Sequence, residues 1–138
     1  MHPNYKTLFI VLVALFLTAC ASAPTWEGMS ESEISAWKGI NVDVASAQKF
    51  RSAGLTSTAV GEWQSAGLSG TQAILDWNKG GYSPATGAPW IEKGFDLKTA
   101  QAWTADKFTA EEARTWMDAD FTLKEAVKNR KMGLTPVR

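Results

Sequence analysis

The chain has 138 residues, 45% of them apolar and 20% charged, with 14 basic residues balancing 14 acidic ones. That length and composition suit one small globular domain, and the neutral balance argues against nucleic acid as a partner. A single cysteine, Cys20, and a single histidine, His2, leave no internal disulfide and little of the usual catalytic and metal-binding equipment.

The first predicted element is a leader. Lys6 precedes ten apolar residues, Leu8 to Leu17, and small residues follow at Thr18 and Ala19. Ten residues reach roughly 15 Å as a helix, about half the hydrocarbon thickness, so the run is too short for an ordinary membrane span. It is also apolar on every face, unlike an amphipathic core helix. Residues 1–19 therefore read as a secretory signal peptide. The residues Leu17-Thr18-Ala19-Cys20 resemble the lipobox of bacterial lipoproteins. That resemblance implies a diacylglyceryl group on the Cys20 thiol, cleavage after Ala19, and anchoring of Cys20 to a membrane. Ala21 follows where that family carries aspartate for inner-membrane retention, so the resemblance implies the outer membrane. Cleavage removes His2 and Lys6 and leaves 13 basic and 14 acidic residues.

Residues 20–27 are expected to form a lipid-anchored spacer, with Ala21, Ser22, Ala23 and Pro24 too small to pack by themselves. Residues 28–138 hold a repeat. Trp37, Phe50, Trp63, Trp77, Trp90, Trp103 and Trp116 recur every 13 residues, with one interval of 14 between Trp63 and Trp77; Trp26 lies outside the register. An apolar residue precedes each by eight or nine positions: Met29, Val42, Leu55, Leu68, Tyr82, Phe95 and Phe108. Directly after these stand the helix N-caps Ser30, Asp43, Thr56, Ser69, Ser83, Asp96 and Thr109. Phe121 and Thr122 open an eighth unit with Asn129 in the aromatic place, and Gly133-Leu134-Thr135-Pro136 begins a ninth.

Capping physics turns this spacing into structure. Capping boxes are expected at Ser30/Glu33, Ser69/Gln72, Thr109/Glu112 and Thr122/Glu125. The fourth helical positions Ile34, Ala47, Val60, Ala73, Ala100, Ala113 and Ala126 suit a staple against the apolar residue before the cap. Gly28, Gly54, Gly67, Gly81, Gly94 and Gly133 stand where a left-handed residue ends a helix, which places each Trp against the first apolar residue of the next unit. Helices of about nine residues are marginal alone and must support one another. The expected fold is all-α: a compact α-solenoid of about eight short single-helix repeats whose core is a row of indoles and alanines.

Two stretches break the pattern. In the fifth unit Gly87 and Pro89 fall inside the helix, where proline costs roughly 3 kcal/mol and glycine about 1, so a short or broken helix is expected there, either a decayed repeat or a hinge or shallow groove between units one to four and six to eight. Around the eighth unit Lys124, Lys128, Arg130, Lys131 and Arg138 face Glu125 alone. They compensate a helix dipole and keep a solenoid end soluble, or they meet an anionic surface such as lipid head groups or cell-wall polymer.

Chemistry is sparse. Without histidine in the mature chain no Ser-His-Asp or Cys-His system or ordinary zinc site forms. Asp118-Ala119-Asp120 starts like a calcium loop, but Leu123 replaces the turn glycine and Asn129 the bidentate glutamate. No phosphate-binding glycine motif occurs, and Glu111 and Glu112 sit in a first helical turn. No enzyme activity, metal or cofactor is expected. The expected role is a membrane-tethered scaffold presenting a solenoid surface to an envelope protein. The alternative is a module whose tryptophan faces stack on peptidoglycan or lipopolysaccharide sugars.

Overall fold

The computed structural model describes residues 22–137, so the leader and Cys20 lie outside the described residues. Eight helices of nine residues follow one another there, with no strand among the described residues: α1 Glu31–Gly39, α2 Val44–Ser52, α3 Ser57–Ser65, α4 Thr71–Lys79, α5 Pro84–Glu92, α6 Leu97–Ala105, α7 Ala110–Asp118 and α8 Leu123–Lys131. The chain is an all-α solenoid of short helical repeats.

Seven of the eight helices start where a side chain satisfies a free first-turn amide. Ser30, Asp43, Thr56, Ser83, Asp96, Thr109 and Thr122 each accept from the backbone N–H three residues on. Two of the expected boxes are complete, Thr109/Glu112 and Thr122/Glu125, and a third closes at Ser83/Thr86. The Ser30 box is only half made. The Glu33 carboxylate turns away to accept from Trp37 Nε1 at 3.4 Å and to pair with Arg51 Nε at 2.9 Å.

The expected Ser69 cap is replaced. α4 begins one residue later on Gly70 (φ 91°), with no side-chain cap, so Ile74 rather than Ala73 fills the buried fourth position. The extra residue of the 14-residue interval is thus absorbed in the loop. Trp77 still stands seven residues after its N-cap, like Trp63 after Thr56.

Helix ends follow the Schellman pattern eight times over. The N–H of Val42, Leu55, Leu68, Tyr82, Phe95, Phe108, Phe121 and Leu134 donates to the carbonyl of the residue five before it, at 2.9–3.1 Å. Those carbonyls belong to the seven register aromatics and Asn129. The left-handed residue is glycine in five units and Asn41, Lys107 or Asp120 (φ 57–62°) in the others.

Supports run mainly to the next helix but one. α1 packs on α3, α3 on α5, α5 on α7, and α2 on α4, so odd and even helices form two rows; α7 also touches α6 and α8. Between the rows Trp37 stacks on Phe50 at 5.9 Å and Trp63 meets Trp77 at 6.1 Å. Within the units Trp77, Trp90, Trp103 and Trp116 each receive the next apolar ring (Tyr82, Phe95, Phe108, Phe121) edge-on at 4.9–5.1 Å.

The expectation of a short or broken fifth helix is overturned. α5 is an unbroken nine-residue helix, neither short nor broken. Its Pro84 sits at the first helical position, and the Ser83/Thr86 box fixes the first turn. Gly87 is buried because the Trp63 ring occupies the space of a side chain: a Cβ there would lie 2.4 Å from Trp63 Cη2. Pro89 and Ala85, whose carbonyl lacks the bond that Pro89 cannot donate, are both exposed, so the missing bond lies on the outer side of the helix. The segment before α1 makes contacts with the first helices. Thr25 O accepts from Gln48 Nε2, Gly28 O accepts from Arg51 Nη2 at 3.0 Å, and Trp26 lies half-buried with Lys38 Nζ 5.6 Å from its ring.

Candidate functional site

Trp37, Phe50, Trp63, Trp77, Trp90, Trp103 and Trp116 are all buried, none more than 5% exposed, and together with Val60, Ile74, Ala47, Ala100, Ala113 and Ala126 they form one continuous core. Their faces pack on one another and on the following apolar residue, so the register presents no indole to solvent. Trp63 Nε1 is buried without a hydrogen-bond partner. Trp26, outside the register, keeps part of its ring exposed.

A second set of residues links the second, third, fifth, sixth and eighth units to the turn about two units earlier. The residue after the register position reaches the C-terminal loop of that earlier unit. Gln64 Nε2 donates to Ile40 O at 3.2 Å, Arg51 to Gly28 O, and Arg130 Nη1 to Lys107 O at 3.0 Å. Thr104 Oγ1 meets Tyr82 OH at 2.9 Å, and Ile91 packs against Gly67. These contacts satisfy orphan helix-end carbonyls or cover their turns. Arg130 also lies over the Phe108 ring at 3.5 Å and donates to Asp106 O. Sequence reading missed this set because its residues share a position, one past the aromatic, and no common chemistry.

The outer surface carries short-range ionic contacts: Glu33 with Arg51, Lys93 with Glu111, and Arg114 with Asp118. Asp43 and Asp96 titrate below their ordinary 3.8, because the backbone amides of Ser46 and Thr99 donate to their carboxylates and favour the charged form. Shallow grooves run between α2 and α4, bordered by Ala45, Ser52, Ala53 and Leu75, and between α3 and α5, bordered by Ala66, Ala85, Ala88 and the carboxylates of Glu62 and Glu92.

The most distinctive surface is at α8. Lys124, Lys128 and Lys131 are exposed, and Met132, Leu134 and Val137 just beyond are 54%, 53% and 78% exposed, the large apolar side chains that stand out among the described residues. Among the described residues no three His, Cys, Asp or Glu side chains gather as metal ligands, and no helix is long and apolar enough to cross a membrane. No family model, curated protein or solved structure matches the chain.

Proposed function

We propose that the protein is an exported lipoprotein, anchored through Cys20 to the outer membrane, whose two-row helical array is a non-catalytic scaffold for an envelope protein. The observation that carries the scaffold reading is the burial of all seven register aromatics. The residues best suited to grip a small ligand are committed to the core, and what remains outward is an ordered relief of capped helix ends and shallow grooves, suited to a protein surface. The same burial weighs against glycan stacking on these rings.

Anchoring rests on the leader and the lipobox-like Leu17-Thr18-Ala19-Cys20. Metabolic labelling with a fatty-acid analogue tests it: the wild type takes up label and loses its leader, whereas Cys20→Ser does neither. Equal labelling of the two ends the lipoprotein reading. The scaffold role is tested by cross-linked affinity capture of the tethered protein from its native envelope, compared with a variant bearing arginine at Ala45, Ala53, Ala85 and Ala88 in the grooves. A partner captured by the wild type and lost with the variant supports the role; capture of glycan strands alone overturns it.

A further inference from the structure

Charge on this chain is sorted by position. Residues 22–122 hold eight basic and thirteen acidic side chains, whereas residues 123–137 hold four basic and one acidic. Of those four, Arg130 is engaged with the carbonyls of Asp106 and Lys107 and the ring of Phe108. Lys124, Lys128 and Lys131 remain. Their spacing of four and three residues puts them on one face of α8, all three exposed and without an ion pair among the described residues. At the C-terminal end of that stripe lie Met132, Leu134 and Val137, more than half exposed.

We propose that this basic and apolar tip is a docking surface for an anionic phospholipid leaflet, a second membrane contact beside the Cys20 anchor. The proposal deepens the membrane-tethered reading given above. Three lysines in line meet a plane of phosphates without needing a shaped pocket, while three adjacent apolar side chains enter the boundary between head groups and acyl chains. A second copy fits less well. Tip against tip would oppose two lysine stripes. Part of the acidic body is also engaged within the chain: Glu33, Glu111 and Asp118 hold basic partners, while Asp43, Asp96 and Glu112 cap helices.

The test uses residues 22–138 without acylation, which contain every buried residue of the core, so its outcome is independent of lipidation at Cys20. Co-sedimentation with phosphatidylglycerol vesicles should show binding that weakens with salt, and phosphatidylcholine vesicles should show none. Replacing Lys124, Lys128 and Lys131 together by Gln should weaken binding roughly 100-fold, at about 1 kcal/mol per lysine. Met132→Ser with Leu134→Ser should weaken it roughly tenfold, through the loss of apolar burial. All these positions are exposed, and unchanged thermal melting confirms that the fold persists. Equal binding to both vesicle types, binding that survives the triple lysine change, or no vesicle binding at all overturns the proposal. So does concentration-dependent self-association, without vesicle binding, that the same substitutions abolish.

Discussion

Gly87 and Gly61 make opposite demands although both lie inside helices. At Gly61 an added Cβ meets only Ile40 Cγ2, at an ordinary 3.5 Å, so Gly61→Ala should stabilise the fold by roughly 0.5–1 kcal/mol through backbone entropy. At Gly87 the same methyl collides with the Trp63 ring, itself fully buried, and overpacking of roughly 1–3 kcal/mol outweighs that gain. Urea melts of the two single variants should therefore move in opposite directions; a stabilised Gly87→Ala would mean that Trp63 has room to shift. Lys107 is a third case. It holds the left-handed helix-ending conformation (φ 62°) that glycine fills in most units, so Lys107→Gly should gain about 1 kcal/mol. Arg130 bonds only the backbone carbonyls there and keeps its contacts. No gain in the same melts would mean that the lysine side chain supplies a compensating interaction.

At the scale of a helix, the cap and the register aromatic set its limits, and both were legible in the sequence because each is a local rule read over a few residues. The exceptions are where geometry beyond the local run decides. Ser69 has the right chemistry, but the inserted residue moves the cap to Gly70; Glu33 has the right spacing, but Arg51 and Trp37 draw it away. Asn41, Lys107 and Asp120 end helices where no glycine announced it, since the six-to-one bond and the buried ring next to it hold the turn. Two predictions belong here. Trp103→Ala should cost about 3–5 kcal/mol, since it empties a buried site and strips Phe108 of its edge contact, and half-buried Trp26→Ala much less; equal losses in denaturant melts would refute the packing of each register ring against the next unit's apolar residue. Asp43 and Asp96 have carboxyls lowered below 3.8 in the folded state. Their contribution is therefore complete above that value and is lost as pH falls through the lowered folded values. As pH falls through 3.8 and below, the wild type should lose more stability than the Asp43→Asn, Asp96→Asn variant, whose amide caps do not titrate there. Parallel pH profiles would mean that other carboxylates dominate acid unfolding.

For the molecule as a whole, a 13-residue period shows that units are alike and leaves open which of them touch. The two-row arrangement follows from contacts at a separation of about two units: Gln64 on Ile40, Gln101 on Gly80, Arg130 on Lys107, and Trp63 against Gly87. That is why Gly87 reads in sequence as a damaged repeat, its reason lying 24 residues away in Trp63. Energetically the array is a one-dimensional chain whose coupling reaches the next helix but one. Native-state hydrogen exchange should then show the slowest amides in the middle helices. It should show the fastest helical amides in α8, where Asn129 replaces the aromatic and Ala126 alone is buried. Gly87→Ala sharpens the test, because its collision lies between α5 and α3 and within 3.4 Å of Trp77 in α4. If coupling skips a helix, exchange in the variant should quicken together in α3, α4 and α5 and pass along the odd row to α1 and α7 before it reaches α2 and α6. Quickening confined to α5 would make each unit independent. Quickening that spread evenly to the sequence neighbours α4 and α6 would replace the two-row coupling with simple nearest-neighbour stacking.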